Sequence, residues 1–366
     1  MTSMFHPFEI AVCGYSGSGK TTLIARLIEH FAPEYRVGYI KHSGHNFDVD
    51  RQGKDTAKAR DAGATRVFIT NGEKTAMTTG EAVDFVQQRT AFDDCDFVLA
   101  EGWRHGAIQK IVVLGDNDKV LGDLADDEKG SVIATIGGRS GSRADLPHFE
   151  RDAVGDIAGF ILRTFHERVA ATPVHGLVLA GGKSTRMMKD KASLEYGGKT
   201  QLEHAFDLVA GACAKVLVSA REGQWQDGRF SVLPQLHDQF VDCGPTGGIL
   251  TAMNTHRDAA WLAIACDLPY LDRETLADLV RKRNPLRVAT AFVSANDGLP
   301  EPLCAIYEPR ARSRLLQFMA LGYTCPRKVL INSSVELLEL QQSRALDNIN
   351  DPDAYETAKT NLSPTQ

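Results

Sequence analysis

The sequence predicts an α/β protein with two doubly wound domains. Short apolar runs alternate with longer helix-like stretches along the chain, a pattern typical of βαβ units around a mostly parallel sheet. Two of the apolar runs lead directly into glycine-rich loops, one beginning at Gly14 and the other around Gly181. The length of 366 residues exceeds the usual size of one domain. We therefore expect two α/β bodies, each with its own glycine-rich loop.

Composition and charge exclude several classes of protein. Hydrophobic residues make up 43% and charged residues 24%, which are ordinary values for a globular chain. A formal net charge of -6 provides no general attraction to nucleic acid or to an anionic membrane. The sequence has no apolar run near 18 residues and no secretory-signal pattern at its start. We expect a cytoplasmic protein without nucleic-acid or membrane partners, whose scattered cysteines are reduced thiols.

A change in composition near the middle of the chain predicts the domain boundary. The segment HERVAATPVH at 166–175 combines charges, small residues and Pro173, and the apolar run HGLVLAGG begins at its end. We therefore predict a first domain at 1–168, a linker at 169–175 and a second domain at 176–366. The predicted strands include EIAVCG, VGYIKH, RVFIT, DFVLAEG, KIVVLG and SVIATIGG in the first domain, and AKVLVSAR, FSVLPQL, AWLAIACD and RVATAFV in the second.

The first loop has the pattern of a phosphate-binding P-loop. Residues 14–21 read GYSGSGKT, which fits G-x-x-x-x-G-K-S/T between an apolar strand and a helical run. Its glycines allow backbone N–H groups to surround phosphate oxygens at the positive end of the following helix. Lysine would neutralise the β and γ oxygens, and threonine would offer a hydroxyl to Mg²⁺. The predicted nucleotide-binding residues are Gly14, Gly17, Ser18, Gly19, Lys20, Thr21 and Thr22.

Two further features near this loop have both a functional and an ordinary interpretation. Glu101 ends the apolar run DFVLAE and could be the second magnesium group, although a carboxylate at a strand end is often only solvated. The polar stretch 38–56 could close on phosphates or be a plain surface loop. The base is open from motifs alone, because neither N-K-x-D nor T-K-x-D occurs in residues 1–165. Candidates in the polar stretch are Lys41, His42, His45, Asp48 and Asp50.

Three segments together resemble a known family. GYSGSGKTTL, IKHSGHNFDVDRQGKDT and AEGWRH followed by KIVVL are similar to the P-loop adaptor protein of molybdopterin-guanine dinucleotide biosynthesis, over about residues 8–115. The resemblance implies a P-loop NTPase-like fold, GTP as the ligand, slow hydrolysis and association with the cofactor guanylyltransferase. It also implies that Glu101 binds the metal with Thr21, and that the domain forms a homodimer.

The second loop has a different spacing. Residues 177–191 read LVLAGGKSTRMMKDK, which fits no P-loop. Gly181 and Gly182 permit close approach of the backbone to a phosphate or base, and Lys183, Arg186 and Lys191 supply cations within one loop. A glycine turn with exposed basic residues is the ordinary alternative. In favour of function, Asp267 ends the apolar run AWLAIACD, at the sheet edge where α/β proteins bind ligands, and its oxygens suit Mg²⁺.

The second half also resembles a family. LAGGKSTRM, DK, GPTGGI, CDLP, EPLCAIY and NINDP occur in the order found in molybdenum cofactor guanylyltransferases, over nearly all of residues 174–358. The resemblance implies a Rossmann-like nucleotidyltransferase fold with Mg²⁺, GTP and molybdopterin. Met188 stands where the family usually has glycine, and Ser219 where it commonly has asparagine. The implied residues are Leu179, Ala180, Gly181, Gly182, Lys191, Ser219, Asp238 and Asp267 for the nucleotide, Lys191, Arg186 and Asp267 for catalysis, and Asn348 and Asn350 for the pterin.

These resemblances lead to one main hypothesis and two alternatives. The main hypothesis is transfer of GMP from Mg-GTP to the phosphate of molybdenum-bound molybdopterin, with release of pyrophosphate. One alternative is a sugar-1-phosphate nucleotidylyltransferase in the second half. The other is a GTP-dependent adaptor that docks acceptor molybdoenzymes or insertion chaperones.

Overall fold

The computed structural model describes most of the chain and divides it into two compact units. The units are residues 1–165 and 166–366. The helix Val154–Val169 crosses this division, and the first strand of the second unit begins at Val174. The described residues are 4–44, 47, 49, 51–104, 108–115, 119–124, 131–138, 145–181, 191–196, 198–342, 344–349 and 352–362.

The first unit contains a parallel sheet with helices packed against it. The strand order is β2-β5-β1-β6-β7-β8, and neighbouring strands run parallel. The central strands β1 and β5 are buried along their whole length, as their unbroken apolar runs predict. The elements are β1 Glu9–Cys13, α1 Lys20–Phe31, β2 Val37–Lys41, α2 Asp55–Asp61, β3 Arg66–Thr70, β4 Thr75–Thr79, α3 Phe85–Thr90, β5 Phe97–Glu101, β6 Lys110–Val113, α4 Lys119–Gly122, β7 Val132–Ile136, β8 His148–Phe149 and α5 Val154–Val169.

The run RVFIT lies outside this sheet, contrary to the sequence prediction. It forms β3, which pairs antiparallel with β4 through a short turn. The turn follows from Asn71, whose side-chain oxygen accepts hydrogen bonds from the backbone N–H groups of Glu73 and Lys74. An asparagine turn favours a local hairpin over a crossover to the parallel sheet. As a result, Phe68 and Met77 face each other across the hairpin with large exposed surfaces.

The second unit has a mixed sheet in the order β13-β12-β9-β14-β16-β15-β17. The strands β13, β12, β9 and β14 run parallel, whereas β16 runs antiparallel to β14 and β15. The elements are β9 Val174–Leu179, a 3₁₀ turn Lys191–Ser193, β10 Glu195–Tyr196, β11 Lys199–Thr200, α6 Gln201–Ala210, β12 Val216–Ala220, β13 Gln235–His237, α7 Gly244–Thr255, β14 Ala260–Ala265, α8 Arg273–Arg281, β15 Ala289–Val293, β16 Pro300–Tyr307, α9 Ala311–Ala320, α10 Pro326–Ile331, β17 Val335–Leu338 and α11 Pro352–Leu362.

Glycines let the helices of this unit approach its central strands closely. A Cβ on Gly176 of β9 would lie 2.0 Å from Cγ1 of Val209 in α6, so that position has no room for a larger residue.

The predicted strand FSVLPQL is shorter than expected, because only Gln235–His237 pairs with β12. Within the described residues, no helix is long and apolar enough to span a bilayer.

Candidate nucleotide sites

The first glycine-rich loop adopts a conformation that depends on its glycines. Gly14, Gly17 and Gly19 have positive φ angles of 154°, 75° and 89°. A Cβ on Gly14 would lie 2.7 Å from both Oγ of Ser18 and the carbonyl oxygen of Val113. The Ser18 hydroxyl is buried, and it has no hydrogen-bond partner in the described part of the chain. The loop therefore curls tightly at the start of α1, with backbone N–H groups available for an anion.

The two residues predicted to hold a metal lie together. The hydroxyl of Thr21, in the first turn of α1, is 3.0 Å from each carboxylate oxygen of Glu101 at the end of β5. This pairing arises because β1 and β5 are neighbours and run parallel, so their carboxyl ends meet. Hydroxyl and carboxylate oxygens are ligands that Mg²⁺ accepts. Lys20 donates to the carbonyl oxygen of Tyr15 at 2.7 Å, and Thr22 is exposed on the same turn.

Glu101 is held as a buried carboxylate by three donors. The hydroxyl of Tyr39 donates at 2.8 Å, and Nζ of Lys41 lies 2.9 Å away. Burial raises the pKa of Glu101, but the hydrogen bonds from Lys41, Tyr39 and Thr21 outweigh burial and leave that pKa below its ordinary value. Burial and the bond to Glu101 raise the pKa of Tyr39 to about 12, so its phenol stays a donor. At neutral pH the group facing Thr21 is therefore an anion.

The second loop continues directly from β9 and is held by its neighbours. Leu179 ends the strand, and the N–H of Ala180 donates to the carbonyl of Ser219 at 3.1 Å. The side-chain amide of Gln224 donates to the carbonyl of Ala180 at 3.1 Å, a contact that no sequence pattern signals. A Cβ on Gly181 would lie 3.4 Å from Oδ2 of Asp238, so the loop backbone runs close beside that carboxylate.

Ser219 and Asp238 form one unit at the carboxyl ends of β12 and β13. The Ser219 hydroxyl donates to Oδ1 of Asp238 at 2.7 Å. Burial raises the pKa of Asp238, and the bond from Ser219 and the charge of His237 oppose that shift. A Cβ on Gly248 of α7 would lie 2.5 Å from the Ser219 hydroxyl, so the GPTGG segment brings its helix against this pair. The small side chain of Ser219 leaves room for α7 to pack this closely.

Lys191 and Asp267 form an ion pair beside the same loop. The distance from Nζ of Lys191 to Oδ2 of Asp267 is 2.7 Å, and each side chain is 19% exposed. Asp267 follows the fully buried strand β14, and the N–H of Cys266 donates to the carbonyl of Leu179. The structure therefore brings together the lysine and aspartate that the sequence places 76 residues apart. The predicted residues Gly182 and Arg186, with Lys183 and Met188, lie outside the described residues.

A cavity of about 460 Å³ is lined by residues that include Tyr270 and Ile349. The N–H of Ile349 in its wall donates to the carbonyl oxygen of Asp267 at 3.2 Å. Arg327 in the lining is paired with Asp297 at 2.8 Å and with Glu301 at 2.9 Å, so its charge is balanced. The lining residues are Tyr270, Ser294, Asn296, Asp297, Glu301, Arg327, Arg344, Leu346, Asp347, Asn348, Ile349 and Thr357.

The predicted pterin residue Asn348 thus lies in this cavity, whereas Asn350 lies outside the described residues. His45, Asp48 and Asp50 of the polar stretch also lie outside them. Lys41 contacts Glu101, and the ring of His42 packs edge-on against Trp103, 5.3 Å between centroids. The polar stretch therefore begins as an edge strand whose lysine reaches the first site.

Family models match both halves of the chain. The model of molybdopterin guanine dinucleotide synthesis protein B (MobB) matches residues 9–137, and the model of the MobA-like NTP transferase domain matches residues 176–337. A probable molybdenum cofactor guanylyltransferase of Mycobacterium bovis is 32% identical over 183 residues, 49% of this chain and 89% of that protein. The chain belongs to the molybdenum cofactor guanylyltransferase family. Ahead of its guanylyltransferase domain it carries a MobB domain.

Two other relatives match parts of this guanylyltransferase family member. The molybdenum cofactor biosynthesis bifunctional protein of Synechocystis sp. is 39% identical over 187 residues, 51% of this chain and 54% of that protein. The molybdopterin-guanine dinucleotide biosynthesis adapter protein of Haemophilus influenzae is 40% identical over 109 residues, 28% of this chain and 61% of that protein. These matches span between half and two thirds of the relatives' own lengths.

The raised pKa of Asp238 leads to a prediction for Asp238→Asn. If Asp238 accepts from guanine N–H groups, as the family resemblance implies, GTP affinity at the second loop should fall by about 10- to 100-fold in this variant. Because the folded pKa is raised, ionised Asp238 lowers stability at neutral pH. The variant should therefore melt at the same or a higher temperature than the unsubstituted protein, and the difference should vanish as pH falls toward 3.8, the ordinary carboxyl value.

Calorimetric titration in a Lys20→Ala background and thermal unfolding across pH would check both parts. Asp227→Asn, at an exposed position between the same two strands, is the control and should change neither quantity. Unchanged GTP affinity in Asp238→Asn would remove Asp238 from the guanine site.

Proposed function

We propose that the second unit transfers GMP from Mg-GTP to the terminal phosphate of molybdenum-bound molybdopterin and releases pyrophosphate. The observation that carries this proposal is the Lys191–Asp267 pair, which follows the strand beside Leu179 and the glycine turn. A metal-binding carboxylate, a cation and a glycine-lined turn at one sheet edge are what a nucleoside triphosphate requires. Similarity to a probable molybdenum cofactor guanylyltransferase supports guanine as the base and the molybdenum cofactor as the acceptor.

The chemistry needs alignment and charge compensation. An acceptor phosphate oxygen attacks the α-phosphorus of GTP, and the bond from that phosphorus to the bridging oxygen breaks, so its electron pair leaves with pyrophosphate. The nucleophile is already an anion, so no general base is needed. Lys191 offsets charge on the leaving group, and Asp238 orients the guanine. Bound at Asp267, Mg²⁺ would supply Lewis-acid stabilisation of the α-phosphate. A contribution from Arg186 stays a prediction.

The cavity lined by Ile349 fits the acceptor. Its amides and hydroxyls, including those of Asn348, Asn296 and Ser294, suit the hydrogen-bonding edge of a pterin. The N–H of Ile349 in its wall donates to the carbonyl oxygen of Asp267, the residue proposed to hold the metal. A sugar-1-phosphate acceptor is the alternative, and the same assay with GTP and hexose 1-phosphate separates the two.

Asp267→Ala tests the guanylyl-transfer site. We expect the rate of GMP transfer to fall on the order of 10²- to 10³-fold, because metal positioning and the partner of Lys191 are both lost. Pyrophosphate release with GTP and molybdenum-bound molybdopterin is the measurement. Asp258→Ala, at the exposed amino end of β14, is the matched control and should keep full activity. Near-normal transfer by Asp267→Ala would show that the site lies elsewhere.

The MobB domain carries a second proposal. We infer that it binds GTP with Mg²⁺ at Thr21 and Glu101, hydrolyses it slowly, and aids delivery of the cofactor to acceptor molybdoenzymes or insertion chaperones. Support comes from the Thr21–Glu101 contact and from the similarity to an adapter protein. Its location in the cytoplasm stays a prediction from the sequence.

Lys20→Ala separates the adapter role from the transfer reaction. Loss of the ammonium beside the phosphate loop should abolish GTP binding by the first unit, whereas purified protein should keep its rate of GMP transfer. In cells that depend on this chain, we expect the activity of a molybdoenzyme to fall. Unchanged molybdoenzyme activity would exclude the adapter role and leave the transferase proposal intact. GTP and ATP titrated in parallel would give the base preference.

We also propose that the chain forms a homodimer through its first unit. The β3–β4 hairpin exposes Phe68 to 65% and Met77 to 48%, which is unusual for large apolar side chains that face each other. A second copy of the chain would cover this surface. The family resemblance to the adaptor supports a dimer, and the hairpin is the surface that such an interface would bury.

Phe68→Asp tests the homodimer. We expect the unsubstituted protein to sediment as a dimer and Phe68→Asp as a monomer, because a buried charge without a partner opposes association. Analytical ultracentrifugation is the measurement. Thr75→Asp introduces the same charge at an exposed polar position of the hairpin and should leave the dimer intact. A monomeric unsubstituted protein would exclude the dimer.

A further inference from the structure

Arg151 lies at the same edge of the first sheet as the P-loop, directly after β8. One terminal nitrogen of its guanidinium donates to the carbonyl of Ser18 in the loop, and the other donates to the carbonyl of Leu114, which follows β6. A Cβ on Gly137, which follows β7, would lie 2.7 Å from Cγ of Arg151. The side chain therefore spans the carboxyl ends of β1, β6 and β7.

Arg151 brings a positive charge to this edge of the sheet. In the described part of the chain, no carboxylate forms an ion pair with this arginine. Its neighbour Asp152 is bound instead by Arg26 of α1 at 2.6 Å. A guanidinium has five N–H donors, and the two carbonyl oxygens occupy two of them. Arg151 thus retains both charge and donors beside a loop built for phosphate.

The strand order of the sheet indicates which part of a bound nucleotide would lie near Arg151. Glu101 ends β5 and marks the metal side of the P-loop, whereas Arg151 lies toward β6 and β7, on the opposite side of β1. A nucleotide whose outer phosphates contact Lys20 and the metal therefore extends its inner phosphate and sugar toward Arg151. A Cβ on Gly19 would lie 3.0 Å from Nη1 of Arg151, so the guanidinium reaches the amino end of α1. Helix N–H groups and a cation converge there.

We propose that Arg151 contacts the α-phosphate of the nucleotide bound by the P-loop. This inference rests on the proposed nucleotide site of the first unit and adds to it a residue that lies 133 positions after Ser18. Arginine suits the role because its planar fork can hold the carbonyls of Ser18 and Leu114 and still offer N–H groups to a phosphate. The α-phosphate is common to mono-, di- and triphosphates, so the contact should serve all three.

Calorimetric titration of GMP, GDP and GTP into the full chain, with Mg²⁺, tests the proposal. For GDP and GTP, binding that Lys20→Ala removes is assigned to the P-loop, which separates it from the guanylyltransferase site. GMP lacks the phosphates that Lys20 would contact, so it is titrated into Asp238→Asn, in which binding at the guanylyltransferase site is weakened. Arg151→Gln should weaken that binding by about 10- to 100-fold for each of the three nucleotides, because a charge-assisted hydrogen bond to the shared phosphate is lost. Arg26→Gln removes the partner of Asp152 but no charge at the sheet edge, and it should leave the three affinities unchanged.

Arg151→Lys distinguishes a role of Arg151 in phosphate binding from a purely structural role in holding the loop. It also replaces Arg151→Gln if the glutamine variant does not fold. Lysine keeps the charge but cannot donate to both carbonyls, so most of the affinity should survive even if the melting temperature falls. Equal affinities in Arg151→Gln and the unsubstituted protein would overturn the proposal, as would a loss confined to GTP or an equal loss in the lysine variant. Absence of Lys20-dependent binding in the unsubstituted protein would instead overturn the nucleotide site itself.

Discussion

Both candidate sites depend on buried parallel strands that end together at one edge of a sheet. β5 and β14 are buried over their whole length, and each is followed by or ends in a carboxylate, Glu101 or Asp267. A parallel sheet is covered on both faces by other elements. Polar side chains can therefore meet and still contact solvent only at the ends of its strands. The rest of each site follows from this constraint. Thr21, Lys191 and Asp238 all lie at such edges, delivered by neighbouring strands or by the segments that follow them.

Those parts of the fold with strong local signals could be predicted from the sequence. Continuous apolar runs identified β1, β5, β9 and β14, and the glycine patterns identified the two loops. The hairpin of β3 and β4 was assigned wrongly, because an apolar run such as RVFIT carries no information about its partner strand. The direction of β16 could not be obtained either. EPLCAIY is equally apolar whether it runs with or against β14, and the choice depends on packing between distant segments.

Candidate site residues could be predicted where they belong to a sequence motif. They could not be predicted where they support a loop from a distant part of the sequence. The structure brings Thr21 against Glu101 and Lys191 against Asp267, whereas the roles assigned to these residues stay predictions. Gln224 and Arg151 gave no signal, because each holds a loop through backbone carbonyls that every residue possesses. Tyr39 and Lys41 lay inside the polar stretch, but only the pairing of β2 with β5 directs them to Glu101.

The paired charges in the cavity bear on whether a second GTP could bind where the acceptor is proposed to bind. Arg327 is satisfied by Asp297 and Glu301, and Arg344 by Asp347, so the cavity has no surplus positive charge from these arginines. A second GTP, with four negative charges, would face carboxylates there without compensation. The ring of a pterin, unlike its phosphate, carries no charge and meets no such penalty. Under the proposed function, this charge balance would disfavour a second GTP in the cavity proposed for the acceptor.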